Sequence, residues 1–150
     1  ELKCIEHNSL ILRTNFFGKC IKQITFSDWI FNSFKKKKKV KIFNDVYFNP
    51  LRIITIAKIT SFIIINKKYL FRGIYNLGSR NGMLKSQFAL IFAKKTGVLS
   101  NNYEYIKVNK LLKVKRSNNM LMDVSKFEKK FQFNLPTTKV EIKREILNYL

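Results

Sequence analysis

The segment Leu10-Ile11-Leu12-Arg13-Thr14-Asn15-Phe16-Phe17-Gly18 constrains this chain most, because it reads as a strand that the rest of the sequence cannot fully partner. A short apolar run ending in a turn is the pattern of a buried parallel strand, which needs strands beside it and helices over both faces. It begins close behind a first residue, Glu1, that is not Met. The remainder offers only a few further strands, at Val40–Phe43, Gly73–Gly78 and Tyr103–Val108, with helical stretches between them. This alternation argues α/β rather than a bundle. The expectation is the C-terminal half of a larger α/β protein.

Length and composition allow one domain with a real core: 46% of residues are hydrophobic, which argues against disorder despite a formal charge of +21. Thirty Lys and Arg against nine Asp and Glu invite a nucleic-acid reading. The basic residues run along nearly the whole chain, however, and only Lys35 to Lys39 forms a block, beside general enrichment in Asn, Ile and Phe. That is a chain-wide bias, and no helix-turn-helix, zinc finger or aromatic RNA-binding strand accompanies it. The positive field still favours anionic ligands of any kind. Cys4 and Cys20 have no metal spacing and fit free thiols in a reducing cytoplasm. The single His7 reads as a surface residue. No leader is visible, and the greasiest stretch, Ile53 to Ile65, contains Lys58 and is shorter than the roughly 20 apolar residues of a span. No membrane partner is expected.

Glu1 to Asn8 reads as the end of a helix. Ser27-Asp28 offers caps for a helix whose Trp29, Ile30 and Phe34 share a face, and the lysine run suits its negative end. Asn49-Pro50 is a turn before an apolar helix from Leu51 or Arg52 to about Asn66, with Ile53, Ile56, Ala57, Thr60, Ile63 and Ile64 as its stripe. A helix from about Leu84 to Lys95 turns Phe88, Ala89, Ile91 and Phe92 inward and stops at Gly97. Lys110 to Asn119 reads as a basic loop, and Asp123 or Ser125 caps a short helix through Phe127 and Phe131. Thr138 and Glu141 match a capping box for a final helix with Val140, Ile142, Ile146 and Leu147 on its apolar face.

No Gly-rich dinucleotide turn and no P-loop is present; Gly73, Gly78 and Gly82 have the wrong spacing. Tyr103-Glu104-Tyr105-Ile106-Lys107 formally matches Tyr-x-x-x-Lys, a pair that cooperates on a helix. On a strand the two side chains lie about 13 Å apart, so the match is rejected.

Several segments together resemble the extended short-chain dehydrogenase/reductases, in that family's order. Leu10 to Gly18 is similar to their "LRT-aromatic-G" strand, and Asn44 to Leu51 to their "DQ-x-x-x-P" loop. Gly73 to Ser79 followed by Lys85-Ser86-Gln87-Phe88-Ala89 resembles "GIYNLG…K-x-EFA". Lys115 to Lys126 resembles "RP-x-N-x-x-LD-x-x-K", and Leu135-Pro136 with the final helix completes the series. Within the family the motifs are most similar to those of the dTDP-4-dehydrorhamnose reductases.

The resemblance implies the C-terminal part of an extended Rossmann-type NAD(P)-binding fold: the last strands of a parallel sheet plus a small α/β substrate-binding lobe, spanning residues 1–150. The dinucleotide-binding half, with its glycine turn and catalytic Tyr and Lys, would lie upstream, so no catalytic, cofactor or metal residue is assigned here. Phe16, with Asn15 beside it, would line the substrate pocket near the nicotinamide. The family often has Trp there, and Phe lacks the indole donor; a core Phe fits the position equally. Arg116 would face the nucleotide diphosphate, its planar donors suiting paired phosphate oxygens, with Ser117 replacing the usual Pro. One more solvated cation is the alternative. Asn119 would be a polar contact or a loop-shaping residue. The implied ligands are NAD or NADP in the complete protein and a sugar nucleotide such as a dTDP-sugar, with a homodimer as a possible assembly. A sugar-nucleotide epimerase or dehydratase, or a basic nucleic-acid module, are the other readings.

Overall fold

The computed structural model describes residues 1–7, 9–111 and 116–150. After a short helix α1 (Leu2–Glu6), the expected first strand forms as β1 (Leu10–Thr14). It breaks at Asn15 and resumes as β2 (Phe16–Phe17) because its partner changes. β1 runs parallel to β6 (Gly73–Leu77), with Leu10 opposite Gly73 and Thr14 opposite Leu77. β2 instead pairs in parallel with β5 (Leu51–Arg52), Phe16 opposite Leu51. Among the described residues β1 pairs along one edge only, and Leu10, Ile11 and Leu12 are half-buried rather than enclosed.

β3 (Val40–Phe43) and β8 (Tyr103–Ile106) form a second parallel pair. A small lobe is built on three two-residue strands: β4 (Tyr47–Phe48) lies between antiparallel β7 (Met83–Leu84) and parallel β9 (Asn119–Met120). β9 lies in the stretch read as a loop, where residues 112–115 fall outside the described residues. Tyr103 to Ile106 is extended, so the Tyr-x-x-x-Lys match has no helix to act on.

Two apolar cores result. One joins Ile30 and Phe34 of α2 (Phe26–Lys35), Val40 and Ile42 of β3, and Phe88 and Phe92 of α4 (Lys85–Lys95) to Ile142 of α7 (Thr138–Glu145). The other joins Ile59 and Ile63 of α3 (Ile53–Ile65), Tyr75 and Leu77 of β6, and Phe127 and Phe131 of α6 (Ser125–Phe131). A one-turn helix, α5 (Val108–Leu111), follows β8, and its first N–H is held by the Asp45 carboxylate at 3.0 Å.

Several local expectations shift. The cap of α2 is Thr25, whose Oγ1 accepts from Asp28 N–H while Asp28 Oδ2 accepts from Thr25 N–H, a reciprocal box. Ser27 instead accepts the Gly18 N–H at 2.9 Å. Trp29 is not buried with Ile30 and Phe34: it is partly exposed, with one ring face stacked on Phe26. On α3 the buried stripe is Ile59 and Ile63, and Ile64, Ala57 and Thr60 are exposed. On α7 the cap is Thr137 rather than Thr138, and Val140 faces outward, as does Leu147 in the turn beyond the helix. The place expected for them is taken by carboxylates. Gly97 closes α4 in the left-handed region, at φ +71°, as expected.

Candidate functional site

Because β1 and β6 are parallel and in register, they end together at Thr14 and Leu77, and the chain beyond them forms the rim where ligands of α/β sheets sit. Asn15 is the first residue over that rim. Its carbonyl accepts Leu51 N–H at 3.1 Å, which starts the β2–β5 pairing. Its side-chain amide reaches the Met120 carbonyl at a long 3.5 Å, and its Oδ1 is buried without a hydrogen-bond partner among the described residues. Strand alternation then buries Phe17 fully and leaves Phe16 45% exposed. Phe16 borders an apolar hollow of about 390 Å³ with Thr14, Cys20, Ile53 and Ile56.

The three-stranded lobe brings the second half of the rim alongside. Tyr47 stands opposite Leu84 on one side and Asn119 on the other. Asn119 shapes the loop: its Oδ1 accepts Leu121 N–H at 3.0 Å, and its N–H and carbonyl both meet Ser117 Oγ. Its side chain is therefore committed to local structure, and of its two implied roles the geometry displays loop shaping.

Arg116 precedes this turn and is exposed. It approaches Lys85, the first residue of α4, whose ammonium lies 5.7 Å from the ring centroids of both Phe26 and Phe48. Burial, and then the charge of Arg116, hold the Lys85 pKa below its ordinary value. Neither cation forms a salt bridge among the described residues. Lys85 also stands at the positive end of a helix, where a cation is disfavoured. A lysine at a helix start that feels a second cation and has no salt-bridged anion is an arrangement that an anionic ligand would relax.

One buried amide holds the pieces of the rim together. Asn49 donates to the carbonyls of Ser79 and Met122, each at 2.9 Å, and accepts Met122 N–H at 3.0 Å. It thus ties the exit of β6 to the segment after β9. Gly78 is required beside it, since a Cβ there would lie 2.8 Å from the Asn49 carbonyl. Behind β5, Glu141 Oε2 accepts Arg52 N–H, and Glu145 pairs with Arg52 Nε at 2.8 Å while accepting Lys19 N–H.

The structure therefore joins Asn15 to the strand carrying Asn119, places Phe16 half-exposed at the same rim, and adds Lys85 to Arg116. Sequence reasoning missed Lys85, Asn49 and the Arg52–Glu145 pair. Lys85 had a usable signal, a cation in a first helical turn. Asn49 had none beyond its place before Pro50, because its partners lie far along the chain.

The family described as RmlD substrate binding domain matches residues 3–150. The chain is similar in fold to dTDP-4-dehydrorhamnose reductase from Bacillus anthracis str. Ames in complex with NADP, at 14% identity and a TM-score of 0.77, covering 93% of this chain and 48% of that one. The Clostridium acetobutylicum dTDP-4-dehydrorhamnose reductase gives 17% identity, a TM-score of 0.76, and coverage of 93% and 48%. UDP-glucuronic acid 4-epimerase from Bacillus cereus, in complex with UDP-glucuronic acid and NAD, gives 16%, 0.71, and coverage of 93% and 44%. This chain thus spans about half the length of these structures. No curated protein matches it in sequence.

Proposed function

The chain belongs to the RmlD substrate binding domain family, and from that premise we propose that it is the nucleotide-sugar-gripping portion of an NAD(P)-dependent reductase acting on a 4-keto sugar. The observation that carries this reading is the rim itself, where Asn15, its Oδ1 unpartnered among the described residues, meets the strand carrying Asn119 beside half-exposed Phe16; Lys85, which feels the charge of Arg116, has no salt-bridge partner among the described residues. A diphosphate satisfies both cations, and the guanidinium can meet paired phosphate oxygens with two parallel donors. The Asn15 Oδ1 that lacks a partner is suited to accept from a sugar hydroxyl or a base N–H.

The cofactor fits this chain only in part. The apolar hollow at Phe16 suits the face of a nicotinamide ring, whereas the 150 residues hold no Gly-rich turn for its pyrophosphate. NAD(P)H, when bound, supplies the hydride for the C4 ketone, and the residues that hold it and donate the proton belong to an upstream half. This portion's part is to bind the nucleotide, orient the sugar and exclude water over it. The free thiols and the apolar stretch too short for a span suit a cytoplasmic enzyme of this kind.

Calorimetric titration with dTDP tests the reading. Saturable binding that Arg116→Ala weakens supports it; binding equal to that of generic single-stranded DNA, with a steep salt slope, sinks it in favour of a basic module. An epimerase or dehydratase would grip the same nucleotide, and product analysis of the full-length enzyme separates those activities from reduction.

A further inference from the structure

β2 pairs over only two residues, and the turn that follows it is fixed by side chains. Gly18 N–H is accepted by Ser27 Oγ at 2.9 Å, Lys19 N–H by Glu145 Oε1 at 2.9 Å and Cys20 N–H by Asp28 Oδ2 at 3.3 Å. The Gly18 carbonyl accepts from Thr25 Oγ1 at 2.7 Å. These acceptors are held in turn by other residues. The Tyr149 hydroxyl lies 2.6 Å from Asp28 Oδ1 and 3.1 Å from Ser27 Oγ, and Glu145 is pinned by Arg52 Nε at 2.8 Å. Tyr149 is itself seated on Phe92 and Phe31, with ring centroids 5.0 and 5.1 Å away. Burial, and then the Asp28 hydrogen bond, hold its pKa above the ordinary value, so the hydroxyl keeps its proton at neutral pH.

This turn carries two walls of the site. Phe16 just before it and Cys20 at its end both line the apolar hollow, and Asn15, with its unpartnered Oδ1, precedes Phe16 at the rim. We propose that Tyr149 and Glu145 are positioning residues of the nucleotide-sugar site, latching the Gly18–Cys20 turn so that Asn15 and Phe16 are held in place for the ligand; this rests on the nucleotide-sugar reading of the rim. Neither residue lines the hollow, so each acts only through the turn. Binding side chains must be held to within about 0.5 Å by the groups that support them. Hydrogen bonds to successive N–H groups fix direction as well as distance, whereas apolar packing is non-directional. Ser27, Asp28 and Glu145 are buried, so the latch depends on no exposed face.

Amide hydrogen exchange and calorimetric titration with dTDP-glucose, both on the 150-residue chain, test the latch. Tyr149→Phe keeps the ring on Phe92 and Phe31 and removes only the hydroxyl. Ser27→Ala removes the Gly18 acceptor and leaves the Thr25–Asp28 capping box intact. Each variant should speed exchange at the Gly18, Lys19 and Cys20 amides roughly tenfold, while Phe88 to Ala93 of α4 keep their wild-type rates. Each should also weaken dTDP-glucose binding roughly fivefold. In an Asn15→Ala background Tyr149→Phe should cost nothing further, because its effect runs through the rim. A loss that persists there, exchange that quickens throughout α4, or a turn whose exchange is unchanged overturns the proposal. Binding that neither variant touches overturns the latch and spares the nucleotide-sugar reading. A wild-type chain that binds no dTDP-glucose overturns both.

Discussion

At Lys85 a half-buried ammonium shares the start of α4 with the charge of Arg116, and burial and then repulsion hold its pKa down. A lysine depressed on folding binds fewer protons in the native than in the unfolded chain, so stability rises with pH between the lowered value and the ordinary 10.5. A bound diphosphate has the opposite preference, since it favours the ammonium. Affinity for dTDP should therefore fall as pH climbs through the native Lys85 value, below 10.5. Lys85→Met should bind more weakly at neutral pH and lose that alkaline decline; a wild-type affinity flat up to the ordinary lysine range would remove Lys85 from the site. Arg116→Ala removes charge-assisted hydrogen bonds of about 1.5–3 kcal/mol, or roughly 10- to 150-fold in Kd, with no change in the thermal midpoint of the unliganded chain. Asn49→Ala should do the reverse at first: it strands two buried carbonyls and an N–H, costs about 2–3 kcal/mol in urea unfolding, and weakens binding only because the loop after β9 loosens.

At the scale of elements, α7 shows why boundaries read better than faces. Its start and length follow from Pro136 and a threonine cap, one residue away from the expected place. Its buried side, however, includes Glu141 and Glu145, which no apolar periodicity announces. Both face inward because the Arg52 N–H of β5 takes Glu141 as its acceptor and the Arg52 side chain, only 12% exposed, takes Glu145 as its counter-charge. Glu145→Ala leaves that guanidinium and the Lys19 N–H without their acceptor, and denaturant titration should show a loss of about 3–5 kcal/mol. Thr25→Ala removes one side of the α2 capping box and should cost about 1 kcal/mol by the same measurement. On α3, thirteen nearly all-apolar residues leave the buried stripe undetermined by pattern alone. Contact with Tyr75, Leu77 and Phe131 selects Ile59 and Ile63.

For the whole molecule, two cores meet where Phe17 and Leu51 bridge them through β2 and β5, and the rim follows that seam. A chain spanning half of the reductases it resembles, without a glycine turn, should bind dTDP yet leave NAD(P)H unoxidised in the presence of a 4-keto sugar nucleotide; turnover above the enzyme-free rate would refute the division of labour. The α/β class and the alternation of the longer strands and helices were legible in sequence, because apolar periodicity and turn residues are properties of neighbours along the chain. The contact of Asn15 with the strand carrying Asn119, the charge of Arg116 felt at Lys85 and the Asn49 clamp were decided by tertiary structure alone. Electrostatic repulsion and buried hydrogen-bond satisfaction act between residues near in space and far apart in sequence, and no local pattern encodes them.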